Sequence, residues 1–300
     1  MATRDRWWIG LGSALIVIAG FSILAAAVLT EGALHPSRRR ASDTAALAYS
    51  IAHAGGATAQ KVRISGIDGL VLDAWWLSPA QPNGQAVMVC HGVADSAYGA
   101  LGYALLFLRH GYSVLVPESR GHGESAGFVT YGVAERYDIV RWVNWMRRAG
   151  VTEAFGFGES LGGSILLQSL AAGADFRALV AESPYSSFEA VANERVARAV
   201  GKPAAYILVD EGIFYARLRY GLNLCDAQTD AAIAHTHVPI LLIHGQADNE
   251  TSPANSLRLA HSNLSNVTLW LVPGARHTGA YAAVPQQFEA KVLQWFGSFR

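Results

Sequence analysis

The sequence predicts an α/β fold in which helices cover both faces of a mostly parallel sheet. From about residue 60 onward, short apolar runs bounded by turn residues alternate with longer amphipathic segments. The run Ala86–Cys90 is continuously apolar, as expected of a strand buried on both faces. Residues 135–148 instead place apolar side chains three and four positions apart, which is typical of a helix. Strands that alternate with helices predict a parallel sheet.

The same patterns place the elements along the chain. Residues 61–65 and 70–76 are predicted as a hairpin joined by a turn at Gly66–Gly69. The later strands are expected near residues 86–90, 112–116, 154–157, 177–181, 238–243 and 267–272. The helices are expected near residues 98–109, 135–148, 161–172, 252–261 and 286–296.

The N-terminal segment differs in kind from the rest of the chain. Trp7–Thr30 contains no charged residue in 24 positions, and as a helix it would be roughly 36 Å long, enough for a hydrocarbon core of about 30 Å. Trp7 and Trp8 are suited to anchor it at one interface, and Pro36 ends a continuing helix. Residues 1–40 are therefore predicted to be a single-pass anchor in the cell membrane.

Two points about this segment stay open. Arg4 and Arg6 flank one end and Arg38–Arg40 the other, so the charges do not decide which side of the membrane holds the rest of the protein. A cleaved signal peptide is the alternative, with Ala25–Ala27 as a small-residue cleavage site. The apolar run exceeds the roughly 7–15 residues usual in signal peptides, which favours the anchor.

Composition excludes several classes of function. The chain is 51% apolar with a formal net charge of zero, which indicates neither disorder nor a polyanionic partner. No basic stripe is interleaved with aromatic residues, so no nucleic-acid partner is expected. Cys90 and Cys225 indicate neither a disulfide framework nor a thiolate metal site. His235–His237 lacks a nearby acidic partner, so neither a metal nor a cofactor is expected.

Two further segments complete the predicted organisation. Residues 41–59 are polar and alanine-rich and are interpreted as a linker before a domain at 60–300. Residues 183–236 separate two predicted strands by about 54 residues, far more than the usual connection of about 2–6. Because the segment is rich in aromatic residues, we expect a helical insertion over one end of the sheet. The alternative is that it only extends the core.

A nucleophilic serine is indicated by the pattern G-x-S-x-G, which the chain contains twice. In a nucleophile elbow, a strand arrives, a tight turn exposes the serine, and a helix leaves. Ser160 has that setting, because a predicted strand precedes it and a predicted helix follows it. Ser125 lies in a glycine-rich stretch with no helical pattern after it. Ser160 is therefore predicted to be the nucleophile and Ser125 to be a loop residue.

The partners that activate a serine are a base and an acid that orients the base. Asp248 and His277 follow two successive predicted strands of the parallel sheet, in the chain order Ser, acid, His. Ligand sites of such sheets form beyond the carboxyl ends of the strands. The oxyanion of an acyl-transfer reaction needs backbone N–H donors. We expect these donors at Leu161, directly after the nucleophile, and at Val93, where Gly92 lets the loop turn.

Together, the segments GESLGG, HGVADS, ESRGHGESAG, HGQAD and PGARH resemble the α/β-hydrolase superfamily, most closely its bacterial esterase-like and serine-aminopeptidase-like branch. The resemblance covers about residues 60–300. It implies Ser160 as nucleophile, His277 as base, Asp248 as orienting acid, and the amides of Val93 and Leu161 as the oxyanion hole. It also implies that the insertion at 183–236 is a lid. Family members usually carry Asp where this chain has Glu118, at a position that is structural in the family.

The predicted function is a membrane-anchored serine hydrolase that cleaves a small-molecule or lipid-like carboxylic ester through an acyl-enzyme. Amides, thioesters, lactones and carbon–carbon bonds remain possible substrates, since the same triad can cleave them. Dehalogenase and epoxide-hydrolase activities are not expected, because they resemble a different branch of the superfamily, which has Asp at the position of Ser160. A non-catalytic, membrane-tethered binding protein of the same fold is the alternative from another class.

Overall fold

The computed structural model describes residues 2–93 and 95–299, and within that range the side chains from residue 16 onward. The eight strands are β1 Ala57–Ser65, β2 Val71–Pro79, β3 Gln85–Cys90, β4 Ser113–Pro117, β5 Glu153–Glu159, β6 Ala178–Glu182, β7 Ile240–Gly245 and β8 Val267–Val272. They form one sheet in the order β1-β2-β4-β3-β5-β6-β7-β8. β2 runs antiparallel to both of its neighbours, β1 and β4. All other neighbouring strands, from β4 through β3 to β8, pair in parallel. The predicted α/β class is confirmed.

The helices of the described residues are α1 Ala2–Leu34, α2 Ala41–Ala54, α3 Ala97–Leu108, α4 Glu135–Arg148, α5 Leu161–Ala171, α6 Phe188–Val200, α7 Lys202–Tyr220, α8 Thr229–Ile233, α9 Ala254–Ser262, α10 Ala280–Ala283 and α11 Pro285–Gly297. They form two hydrophobic layers. Trp142 of α4 and Ile165 of α5 belong to the layer on one face of the sheet, and Phe107 of α3 and Phe296 of α11 to the other.

The prediction of a linker at residues 41–59 is wrong. Residues 41–54 form α2, which packs against α3 with Ala48 and Ala52 buried, and β1 already begins at Ala57. The physical reason is the high alanine content of this stretch. Alanine favours helix, and its small side chain allows close approach to Ala100 and Ala104, which lie in the same layer on α3.

The insertion between β6 and β7 is helical, as predicted, and consists of α6, α7, a short 3₁₀ turn and α8. Helix α6 reaches the loop after β7, where the Glu194 Oε2 atom accepts a hydrogen bond from the Ser252 N–H at 3.0 Å. Helix α7 packs against both α6 and α1. The insertion therefore connects the N-terminal helix to the carboxyl ends of the strands.

Helix α1 contains a segment, residues 16–34, that is long and apolar enough to cross a membrane, a property that signal sequences share. Most of its described apolar side chains are exposed, including Ile16 and Phe21. The last turns are different, because Ala26 and Leu34 are buried and the Leu34 carbonyl accepts a hydrogen bond from the Val129 N–H at 2.9 Å. The predicted anchoring side chains of Trp7 and Trp8 lie outside the described part.

Candidate active site

The segment 155–159, Phe-Gly-Phe-Gly-Glu, forms the last part of β5 and presents different residues to the two faces of the sheet. Phe155 and Phe157 are buried in the layer that contains α3 and α11. Gly156 and Gly158 face α5, and a Cβ atom added at Gly158 would lie 2.6 Å from the Gly162 carbonyl carbon. Because neither position carries a side chain, α5 can start directly against the strand. The alternation thus sets the position of the serine that follows.

Ser160 occupies a strained turn between β5 and α5. Its φ of 48° and ψ of −114° lie in a region that non-glycine residues rarely adopt. The strain is maintained by neighbouring backbone, since the Ser160 N–H donates to the Glu182 carbonyl at 2.8 Å. A Cβ atom at Gly162 would lie 2.6 Å from the His91 carbonyl oxygen, so only glycine fits there. This strand–turn–helix geometry is the predicted elbow.

Ser160, His277 and Asp248 form a chain of hydrogen bonds in which His277 lies between the other two. The His277 Nε2 atom is 2.9 Å from Ser160 Oγ, and its Nδ1 atom is 2.7 Å from Asp248 Oδ2. Asp248 follows β7 and His277 follows β8, and the two strands are adjacent in the sheet. The geometry allows His277 to accept the serine proton at Nε2 while Nδ1–H donates to the carboxylate.

Asp248 is held by more donors than the sequence indicated. Its Oδ1 atom accepts hydrogen bonds from the backbone N–H groups of Glu250 at 2.8 Å and Thr251 at 2.9 Å. The His244 Nε2 atom lies 3.2 Å from Oδ2. Burial by itself would raise the pKa of Asp248, but the hydrogen bonds from His244, His277 and the Thr251 amide hold that pKa well below its usual range. The carboxylate therefore stays ionised beside His277.

His244 is a site residue that sequence reasoning missed. It is fully buried, with its Nδ1 atom 2.7 Å from Ser256 Oγ and its Nε2 atom 2.9 Å from the Thr251 carbonyl. These contacts fix the turn that carries Asp248. A signal existed in the sequence, because His-Gly follows an apolar run at both 91–92 and 244–245.

The two predicted oxyanion donors belong to segments next to Ser160. Leu161 is the first residue of α5, and the amides of a helix's first turn have no partner inside the helix. Gly92, directly before Val93, is close to Ser160, because an added Cβ atom there would be 3.6 Å from Ser160 Cβ. The His91 Nδ1 atom is 2.8 Å from the Gly92 carbonyl, and its Nε2 atom accepts from the Ser119 N–H at 3.1 Å. Because C=O and N–H point in opposite directions across a trans peptide, this contact turns the Val93 N–H away from His91.

Ser125 lies in a loop, as predicted, and its hydroxyl has a structural role. The side chain is fully buried. Its Oγ atom donates to the Glu118 carbonyl at 2.7 Å and accepts from the Asp73 N–H at 2.9 Å. The Glu118 carboxylate in turn accepts from the Ala97 N–H at 3.1 Å, at the start of α3. Both residues stabilise these loops, and neither forms a hydrogen bond with Ser160, His277 or Asp248.

His235 and His237, the two histidines considered as metal ligands from the sequence, are exposed in the loop before β7. Among the residues that the structure describes, no three His, Cys, Asp or Glu side chains come together in a group that could hold a metal ion.

Two carboxyl groups lie beneath the elbow and were also missed by sequence reasoning. Glu159 and Glu182 are paired in register at the ends of β5 and β6. The Tyr103 hydroxyl donates to Glu159 Oε1 at 2.7 Å, and the Ala280 N–H donates to Glu182 Oε1 at 2.8 Å. Burial raises the pKa of Glu159 to about 7, and burial together with the charge of Glu159 raises the pKa of Glu182 to about 8.

The raised pKa of Glu182 predicts that the fold loses stability at alkaline pH, and that Glu182→Gln removes this loss. A carboxyl group whose pKa is raised by folding stabilises the fold fully below its unfolded value of 4.5, and that stability is lost as the pH rises through about 8. We expect Glu182→Gln to melt at least about 5 °C above the wild type at pH 9 and within about 2 °C of it at pH 5. Thermal melts across this range measure the difference.

Glu250→Gln is the matched control for that measurement, because Glu250 is exposed in the adjacent loop. It should melt with the wild type at both pH values. Equal melting of Glu182→Gln and the wild type at pH 9 would contradict the assignment of a protonated, buried Glu182.

Comparison with known proteins agrees with this fold. Residues 102–299, which are 198 of the 300, match the model of the prolyl oligopeptidase family. The uncharacterized protein YqkD of Bacillus subtilis is 28% identical over 202 residues, and the match covers 65% of this chain and 65% of that relative. The chain thus spans just under two thirds of that relative's length.

Solved structures show the same fold at lower identity. The Pyrococcus furiosus esterase Pf2001 is 20% identical with a TM-score of 0.69, over 89% of this chain and 98% of that one. A puromycin-hydrolyzing peptidase of Mycobacterium tuberculosis is 17% identical with a TM-score of 0.66, over 82% of this chain and 40% of that one. With the eight-stranded sheet, the strained serine turn and a family match over about two thirds of its length, the chain belongs to the prolyl oligopeptidase family within the α/β-hydrolase superfamily.

Proposed function

We propose that the protein is a serine hydrolase that cleaves carboxylic esters, with Ser160 as nucleophile, His277 as general base and Asp248 as orienting acid. The observation that carries the proposal is the continuous set of hydrogen bonds from Asp248 through His277 to Ser160, at 2.7 and 2.9 Å. These hydrogen bonds end at Ser160, which lies at the start of α5, where backbone N–H groups favour negative charge.

The reaction follows from the positions of these atoms. Ser160 Oγ attacks the ester carbonyl carbon while His277 Nε2 takes the hydroxyl proton, and the carboxylate of Asp248 stabilises the resulting imidazolium. The N–H groups of Leu161 and Val93 stabilise the oxyanion. The tetrahedral intermediate collapses to the acyl-enzyme as His277 returns the proton to the departing alcohol. Water then attacks the acyl group by the same steps and frees Ser160.

Labelling with a fluorophosphonate probe tests whether Ser160 is activated. We expect stoichiometric labelling of the folded protein, located by mass spectrometry on the peptide that contains Ser160, and none after heat denaturation. Folded protein that takes up no label would contradict the proposal and favour a non-catalytic binding protein.

Amide hydrolysis is a second candidate, favoured by the peptidase family to which the chain belongs. A panel of p-nitrophenyl esters of graded chain length, set beside aminoacyl p-nitroanilides, separates the two reactions. Esters should be cleaved with kcat/KM at least about 100-fold above that of the anilides of matched size. A preference for the anilides would replace the esterase with a peptidase on the same three residues.

We also propose that α1 is retained as a single-pass anchor in the cell membrane. Its contacts with α7 support this, since Ser22 Oγ donates to Glu211 Oε2 at 2.6 Å and Ala26 is buried. Cleavage at Ala25–Ala27 would remove Ser22 and break that hydrogen bond. The apolar side chains of Ile207, Phe214 and Leu218 are 56, 62 and 71% exposed on one face of α7, which suits contact with lipid beside α1.

The N-terminus of the mature protein tests the anchor. We expect mass spectrometry of protein extracted from membranes to detect peptides from residues 16–34, and the protein to stay in the membrane fraction at alkaline pH. A mature chain that begins after residue 27 and is released in soluble form would show that the segment is a signal peptide.

A further inference from the structure

A cavity of about 410 Å³ lies between the end of α1 and the first helix of the insertion. Leu29 and Ala33 of α1 form one wall, and Phe188 and Ala192 of α6 form the opposite wall. The volume falls within the range of pockets that bind small molecules, about 300–1,000 Å³. A smaller apolar space of about 70 Å³ shares these four residues and continues toward α7.

The cavity reaches the loop that faces the nucleophile. Val93 is part of its lining, and the preceding Gly92 is close enough to Ser160 that an added Cβ atom would be 3.6 Å from Ser160 Cβ. A ligand group in the cavity therefore lies beside Val93, the residue whose N–H is expected to bind the oxyanion. The open clefts on the other side of α6 have different linings: one of them includes Asp248, but neither contains Val93 or any residue of α1.

The lining also indicates the chemistry of the occupant. Its side chains are mostly apolar, and Arg195 is the single charged one among the described residues that line it. None of these described residues is a carboxylate, the group that would pair with the α-amino group of a peptide. An unbranched acyl chain buries apolar surface against these walls at roughly 25 cal/mol per Å² without leaving a polar group unsatisfied.

Building on the ester hydrolysis proposed above, we propose that this cavity binds the acyl chain of the substrate. The N-terminal helix then serves as a wall of the substrate site as well as a membrane segment. The chain runs from the ester carbonyl at Ser160, past Val93, into the space between α1 and α6. Esters of medium-length fatty acids are the substrate class that fits this route.

Gly32 provides a test, because it lines the cavity and an added Cβ atom there would meet no atom within 4 Å. Gly32→Phe in the full-length protein should fill the space without a clash with the backbone. We expect kcat/KM for p-nitrophenyl decanoate to fall roughly tenfold or more, while p-nitrophenyl acetate changes less than about twofold. Gly20→Phe is the matched control, since Gly20 lies on the same helix with equally open surroundings and lines neither cavity. It should leave both esters unchanged.

Direct binding separates this proposal from the proposed chemistry. Dansyl-aminoundecanoic acid should bind the Ser160→Ala protein, and adding Gly32→Phe should weaken its Kd at least about tenfold. If the wild type hydrolyses no ester, the proposed function is refuted. The binding of the dansyl acid then tests by itself whether the cavity takes an acyl chain. The proposal is overturned if Gly32→Phe changes neither decanoate turnover nor dansyl-acid binding, or if it lowers acetate and decanoate turnover equally.

Discussion

We expect Ser160→Ala to abolish ester hydrolysis, with kcat reduced by at least about 10⁴-fold, and Ser125→Ala to retain the turnover of its folded fraction within a few-fold. The two serines share the pattern G-x-S-x-G, but only Ser160 Oγ has a histidine nitrogen beside it, at 2.9 Å. Removing that hydroxyl removes the group that forms the acyl-enzyme. Initial rates with p-nitrophenyl butyrate measure both variants.

Ser125→Ala is expected to lower stability instead of activity. Its Oγ atom is buried and makes two hydrogen bonds to backbone groups, so its loss leaves the Asp73 N–H without this acceptor. The expected cost is about 1–3 kcal/mol in the free energy of unfolding. Ser160→Ala should fold normally and melt close to the wild type. If Ser125→Ala lost turnover while Ser160→Ala kept it, the assignment of the nucleophile would be wrong.

We expect Asp248→Asn to reduce kcat by roughly 10⁴-fold without unfolding the protein. The structure shows how the amide would orient. Two backbone N–H groups donate to Oδ1, so the carboxamide oxygen takes that position and its NH₂ group takes the place of Oδ2, facing His277 Nδ1. Nδ1 must then accept a hydrogen bond, the ring proton moves to Nε2, and His277 loses its capacity to take the Ser160 proton.

The measurements that check this prediction are kcat, KM and the melting temperature. The loss should fall on kcat, because the ester does not touch Asp248. Asp230→Asn is the control for loss of one carboxylate, since Asp230 pairs with the exposed Arg258 on the surface. It should retain activity within about twofold. An Asp248→Asn variant with wild-type kcat would show that His277 does not depend on this carboxylate.

Local patterns in the sequence were sufficient for most of the fold. The alternation of buried runs and amphipathic segments predicted every strand except the exact ends, because side-chain periodicity reports burial directly. The elbow was also predicted locally, since a strand precedes Ser160, a helix follows it, and Gly158 and Gly162 permit close backbone contacts. The choice between Ser160 and Ser125 followed from the same local evidence.

The sequence was a poorer guide wherever a side chain's role depends on distant partners. Nine of the 14 residues at 41–54 are apolar, but six of these are alanine, and only contact with α3 makes Ala48 and Ala52 a buried helix face. Glu182 lies in no motif and His244 only in a His-Gly pair. The importance of His244 comes from its contact with Asp248, and that of Glu182 from its contacts with Ala280 and Glu159.

The sequence by itself thus determined the α/β class, the nucleophile candidate and its two partners, because these depend on periodicity and on chain order along a parallel sheet. Only the tertiary structure decided that α1 lies against the insertion and helps to enclose a cavity beside Val93. Helix α1 is separated by more than 150 residues from α6 and α7 in the chain. No local pattern reports contacts over that separation, and packing alone brings the segments together.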